Sequence, residues 1–181
     1  MANNSENTLH LKTERLNIIA CSLQVARAIV TDKSKVETIL AARVSDDWPA
    51  LDLLEFLPFY AQQLETDPSL LGWGVWLMIH AMERVVIGDV GFKGKPGHEG
   101  TVEIGYSVIP AFRNRGYASE ASQALIHWAF IQQGVKRIIA ECSDDNAASI
   151  RILEKLGMKR LGTEGSVLKW ELKGTYEPLE T

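Results

Sequence analysis

The residues of this chain whose types and spacing carry chemistry stand together between Val102 and Ala121. Within that stretch Arg113-Asn114-Arg115-Gly116-Tyr117-Ala118 follows an apolar run ended by Pro110 and opens a segment with helical spacing. A helix start leaves its first backbone N–H groups without intrahelical partners and carries about half a positive charge. Small residues such as Gly116 and Ala118 let a diphosphate approach those amides, while Arg113 and Arg115 bring two cations to the same bend. An isolated R-x-x-G-x-A reads more readily as a plain turn with solvated arginines. What favours the anion site is its context: a strand before it, an amphipathic helix after it, then a second strand and Asn146-Ala147-Ala148-Ser149.

Strands and helices must hold that bend in place. Leu16 to Cys21 is apolar and β-branched, which predicts a strand, and Ser22 offers an N-cap to a helix through Ala26 and Val30. Lys35 to Val44 continues as helix after a break at Thr31 to Ser34. Leu51 to Thr66 has helical spacing, with Pro58 inside it predicting a kink or two shorter helices. Trp73 to Met82 and Val85 to Lys93 form a hairpin about Glu83-Arg84, and Thr101 to Ile109 adds a third antiparallel strand. Tyr117 to Gln133 is a helix with Gly134 just past its end, and Arg137 to Glu141 is a short strand. Asp144 or Asp145 caps a helix over Asn146 to Leu156; Met158 to Thr163 and Val167 to Leu172 close the chain as a hairpin. The strands before and after the long helix are joined by a crossover, so they are expected as parallel neighbours. The fold class is α/β (α+β): a mixed, mostly antiparallel central sheet flanked by helices.

A chain of 181 residues with 46% hydrophobic content suits one domain over 1–181, with its core at about 12–172. The net charge of -4 argues against a nucleic-acid partner, which calls for a basic excess. Cys21 and Cys142 have no metal-binding or disulfide spacing, and no metal site is expected. The N-terminus lacks a signal-peptide layout, and the longest apolar run, Trp73 to Ala81, falls short of the roughly 20 residues that cross a bilayer. The expectation is a cytoplasmic protein without a membrane partner, monomeric or homodimeric.

Taken with these elements, the sequence resembles the GCN5-related N-acetyltransferase (GNAT) superfamily, and within it the ribosomal-protein N-terminal (Rim-type) acetyltransferases. The resemblance spans roughly Lys12 to Leu172. It rests on Thr13-Glu14-Arg15-Leu16, on Ile87-Gly88-Asp89-Val90-Gly91-Phe92 and on the acetyl-CoA signature matched by Arg113, Gly116 and Ala118. A second signature is matched by Asn146, Ser149 and Glu154-Lys155-Leu156-Gly157-Met158. The resemblance implies that backbone at Tyr106, Ser107 and Val108 pairs with the pantetheine arm where neighbouring strands splay. It implies further that Arg113, Asn114, Arg115, Gly116, Tyr117 and Ala118 hold the diphosphate, and that Asn146 bonds the pantetheine. A helix cap is the plainer reading of Asn146.

The implied reaction moves an acetyl group from acetyl-CoA to a primary amine, on a protein N-terminus or a small molecule. It needs a neutral amine, a polarised thioester carbonyl and a proton for the departing thiolate. Glu103 lies in an otherwise apolar strand, where partial burial is expected to suit its carboxylate to take the amine proton, directly or through water. The backbone N–H of Val108 or a neighbour would serve the oxyanion. Many relatives carry a tyrosine acid seven residues after the asparagine; here that position is Leu153, so Ser149 and Tyr106 are the remaining candidates at the thiolate. His80 and His98 have no carboxylate at a dyad spacing. The missing tyrosine keeps a second reading open, a non-catalytic acyl-CoA-binding regulatory module. A dinucleotide site is disfavoured, because G-x-G-x-x-G is absent.

Overall fold

The computed structural model describes residues 9–174. Its elements begin with strands β1 (His10–Lys12) and β2 (Leu16–Ala20), helices α1 (Leu23–Thr31) and α2 (Lys33–Leu40), the two-residue strand β3 (Arg43–Val44) and helix α3 (Leu51–Thr66). Strands β4 (Val75–His80), β5 (Val85–Phe92) and β6 (Thr101–Val108) form an antiparallel meander before helix α4 (Tyr117–Phe130). Strand β7 (Arg137–Ser143), helix α5 (Ala147–Lys155) and strands β8 (Lys159–Glu164) and β9 (Val167–Lys173) complete the chain. They make one sheet in the order β1-β2-β4-β5-β6-β7-β9-β8, with β3 alongside β5. No helix among the described residues is long and apolar enough to cross a membrane.

Strand register decides which side chains share a face, because residues alternate along a strand and paired residues point the same way. Phe92 pairs with Ile104 and Val90 with Tyr106, and Phe92 and Trp76 pack against Trp128 of α4. This face is therefore the one that α4 covers. On the opposite face Asp89 pairs with Ser107, Gly91 with Gly105, and Lys93 bonds back to Glu103. Tyr60 of α3 packs against Gly74, and its hydroxyl donates to the Cys21 carbonyl at 3.1 Å.

The expected crossover pairing holds: β6 and β7 are parallel neighbours. Their pairing is short, running from Thr101 opposite Arg137 to Glu103 opposite Ile139. Beyond Glu103 the two strands part company, which opens the sheet on the side of Tyr106 and Val108.

Three local expectations are corrected. Arg43 and Val44 are not helical; Arg84 draws the segment into parallel pairing with β5 by accepting from Arg43 N–H at 2.7 Å and reaching the Ala41 carbonyl with its guanidinium. Pro58 does not divide α3, because it stands on the exposed side while Leu53, Leu57, Tyr60 and Leu64 hold the other side in the core. Losing one backbone bond costs less there than unpacking that apolar stripe. The cap of α5 is Asn146 rather than Asp144 or Asp145, its side chain accepting from Ser149 N–H at 3.1 Å.

Candidate active site

Two backbone bonds set the phase of the β5–β6 ladder: Ile109 N–H to the Ile87 carbonyl and Lys93 N–H to the Glu103 carbonyl, both 2.9 Å. In an antiparallel pair alternate residues bond to the same neighbour. The backbones of Glu103, Gly105 and Ser107 are thus turned to β5, whereas those of Tyr106 and Val108 are turned to the side β7 has left. Of the three strand residues expected at the pantetheine, Tyr106 offers its N–H and C=O and Val108 its N–H; Ser107 offers only its side chain, on the Asp89 face.

After Val108 the chain makes a short turn and starts α4. Asn114 has φ 59° and Gly116 φ 83°, two left-handed residues that bring the backbone round, the second at the cost-free residue type. Gly116 is the N-cap and supplies no side chain, so Tyr117, Ala118 and Ser119 begin the helix with uncapped N–H groups. Arg113 turns back, its Nε donating to the Val108 carbonyl at 2.8 Å, and thereby ties the turn to the strand end. Arg115 stacks over Phe112 at 5.4 Å.

A strut from the other end of the chain fixes this turn. Arg15 donates to the Arg115 carbonyl at 3.0 Å, lies 4.4 Å over the Tyr117 ring, and pairs with Glu120 of α4 at 2.6 Å. Glu120 also accepts from Thr13 Oγ1 at 2.6 Å and Arg15 N–H at 3.0 Å. Burial alone would raise the Glu120 carboxyl, but these donors and the Arg15 charge outweigh it and hold the group below its ordinary value. The Tyr117 side chain is buried, its hydroxyl 2.9 Å from His80 Nε2. His80 Nδ1 accepts from Glu83 N–H, so both ring nitrogens serve packing.

An open cleft of about 740 Å³ gathers Tyr106, Ser107, Val108, Arg113, Asn114, Gly116, Tyr117, Ala118, Asn146 and Ser149, together with Ala50 and Asp52 at the start of α3. Of the expected site residues, Arg115 and Glu103 lie outside its lining. A larger hollow of about 1380 Å³ follows the other flank of α4 past Gln123 and His127, sharing only Gly116, Ser119 and Lys155 with the cleft. We take the smaller one as the site because the free edge of β6 opens into it. Asn146 spends Oδ1 on the α5 cap, and its amide hydrogens have no protein acceptor among the described residues. The Tyr106 hydroxyl reaches the Ser149 carbonyl at 3.5 Å; burial raises this phenol above its ordinary value, with the α5 contact acting against the rise. Leu153 is buried at 1% exposure, so the usual tyrosine position is filled by core packing.

The far face of β5 and β6 is a second surface. Glu103 forms an ion pair with Lys93. Next to them Gly105 is exposed, and a side chain there would meet no neighbour within 4 Å. Beyond the glycines stands half-buried Asp89, whose Oδ2 accepts from Trp48 Nε1 at 2.9 Å. From the sequence, Arg15 and Asp89 enter only as parts of matched patterns and Glu120 has no role, while Trp48 reads either as core packing or as lining an acceptor pocket. For Asp89 a signal existed: it is the one ionisable residue of β5, Val-Val-Ile-Gly-Asp-Val-Gly-Phe.

A strand edge freed beside an uncapped helix start is an arrangement that accepts an extended ligand ending in a diphosphate. The chain is similar to known proteins. The family profile described as "Acetyltransferase (GNAT) domain" matches residues 25–159. An uncharacterized N-acetyltransferase of Bacillus subtilis (strain 168), YjdG, is 31% identical over 147 residues, covering 81% of this chain and 88% of that protein. A GNAT-family acetyltransferase from Bacillus anthracis superposes with a TM-score of 0.61 at 27% identity, covering 91% of this chain and 98% of that one. The ribosomal-protein-S5-alanine acetyltransferase of Vibrio fischeri shares the fold with a TM-score of 0.66 at 17% identity, covering 94% and 100%. With the profile spanning most of its length and a relative of 31% identity over 81% of it, the chain belongs to the GNAT acetyltransferase family.

Proposed function

We propose that this acetyltransferase moves the acetyl group of acetyl-CoA to a primary amine by direct attack, and that the cleft between β6, α4 and α5 receives the coenzyme. The observation that carries the reading is the free edge of Tyr106 and Val108 beside the uncapped amides of Tyr117, Ala118 and Ser119. Acetyl-CoA supplies an activated acyl group on sulfur. The N–H and C=O of Tyr106 pair with the amide-bearing arm as an added strand would, and the Asn146 amide donates to it. The first-turn amides of α4 take the diphosphate, with Arg113 bracing the turn from Val108 and Arg115 outside the cleft, stacked over Phe112.

Val108 N–H serves the thioester oxygen, since it points into the gap and needs no reorganisation. The amine nitrogen bonds to the carbonyl carbon, the C–S bond breaks with its electron pair on sulfur, and a donor protonates that sulfur. Tyr106 is suited to donate because burial keeps its phenol protonated. The Ser149 hydroxyl, on the adjoining turn of α5, is the second donor. The proton of the incoming amine goes to a carboxylate on the far face, where Glu103 and Asp89 both stand.

The acceptor comes from that far face. Its exposed Gly105 and its carboxylates suit an unhindered ammonium group, on a protein N-terminus or a small molecule. The test is release of free thiol from acetyl-CoA with purified protein and a panel of peptides, polyamines and aminoglycosides, with alanine-initiated ribosomal-protein peptides included because of the shared fold. Turnover with at least one primary amine is expected. Coenzyme binding without thiol release from any of them would overturn amine transfer in favour of a binding module.

A further inference from the structure

Resting on the transfer reading above, we infer that Asp89, rather than Glu103, is the carboxylate that takes the proton of the acceptor amine, with Trp48 as its positioning residue. The first argument is distance. Asp89 is paired with Ser107, so its Cα is about 5.5 Å from that of the residue adjoining Val108. Glu103 stands five residues up the strand from Val108, about 16 Å in extended backbone. A glutamate side chain does not span that interval, and Glu103 is already joined to Lys93.

The second argument is chemical environment. Among the described residues no lysine or arginine pairs with Asp89. Its one recorded hydrogen bond is to Oδ2 from the indole of Trp48, which leaves Oδ1 for an incoming N–H. Trp48 precedes Ala50 and Asp52, which line the coenzyme cleft, so this indole links the carboxylate to the cleft rim. Burial raises Asp89 to about 6, with the Asp52 carboxylate of α3 adding to the rise and the Trp48 bond opposing it. The other ionisable group facing it is the Cys21 thiol at the end of β2, which burial and the Asp89 charge keep neutral. A carboxylate in that range is ionised at neutral pH and basic enough to draw a proton from an ammonium held against it.

The step balances. Asp89 Oδ1 takes one proton from the ammonium and later yields it to water. The freed lone pair bonds to the acetyl carbon, and the second proton lost by nitrogen ends on the departing sulfur.

The experiment is the pH dependence of thiol release for the wild-type protein, Asp89→Asn, Asp89→Glu, Trp48→Phe and Glu103→Gln. The probe is acetyl-CoA with the panel amine that turns over fastest, and coenzyme binding is measured alongside by calorimetry. The wild type should lose rate as pH falls through about 6. Asp89→Asn should cost about a hundredfold in kcat, within twofold of wild-type coenzyme affinity, and Asp89→Glu should recover part of it. Trp48→Phe should move the acidic limb to higher pH, an effect that loss of packing alone does not produce. Glu103→Gln should keep the limb in place. Asp89→Asn with wild-type rate and profile, or loss of the limb in Glu103→Gln, overturns this inference alone. A wild type that transfers to no amine overturns the transfer reading and this inference together.

Discussion

Arg15 and Glu120, 105 positions apart in the chain, meet through Nε at 2.7 Å and NH2 at 2.6 Å, and the same guanidinium reaches on to the Arg115 carbonyl. One side chain thus joins the entry to the first long strand, the first turn of α4 and the bend that would face the diphosphate. Arg15→Ala should therefore weaken coenzyme A binding by about tenfold, the equivalent of about 1.4 kcal/mol. It should also lower stability by about 1–2 kcal/mol, since the carboxylate keeps its Thr13 partner. Calorimetry and urea unfolding on the same preparation check both.

The same contact has a pH signature. Glu120 is held below its ordinary 4.5 in the folded state, so folding releases its proton. The stability it contributes is complete above that ordinary value and disappears as pH falls through the lower folded one. Thermal unfolding of the wild type should therefore lose more between about pH 5 and pH 3 than that of Glu120→Gln. Parallel curves would show that Glu120 contributes nothing through its charge.

Gly105 tests the far face separately from the cleft. Valine there meets no neighbour within 4 Å and suits a strand, so Gly105→Val should fold with stability equal to or above wild type. Coenzyme affinity should stay within twofold, while the KM for the amine should rise tenfold or more. Unchanged amine kinetics would place the acceptor elsewhere.

Two donors serve the sulfur in the proposed reaction. Tyr106→Phe should lower kcat by about tenfold to a hundredfold without changing coenzyme affinity, and Ser149→Ala by a smaller factor. Because both act on one atom, the double variant should lose less than the product of the single losses. Product-like losses in single-turnover measurements would mean that the two act at separate steps.

Much of the fold was readable because its signals are local. Ser22 caps α1 as its position before an apolar helix suggests, and Gly157 takes the left-handed conformation just past the end of α5 that helix ends favour. The antiparallel meander follows from β-rich runs and the turn residues between them. Readings failed where a partner lay far away: Arg43 and Val44 pair with β5 across forty positions, and the α3 packing overrides Pro58. The turn proposed for the diphosphate was visible for the same local reason, being a glycine between a strand and a helix.

The sequence by itself determined the order of the elements from β4 to β9, the crossover between β6 and β7, and a glycine-bearing turn opening α4, since each depends on residues within a few positions of one another. Only the tertiary structure decided that β6 and β7 part after Glu103, that Tyr106 and Val108 rather than Ser107 present free backbone, and that Asp89 stands across from Ser107. Those relations are matters of register, and a shift of one residue would turn every side chain of a strand to the other face. Register is set by the packing of the whole sheet against α3 and α4, which no short window of residues contains.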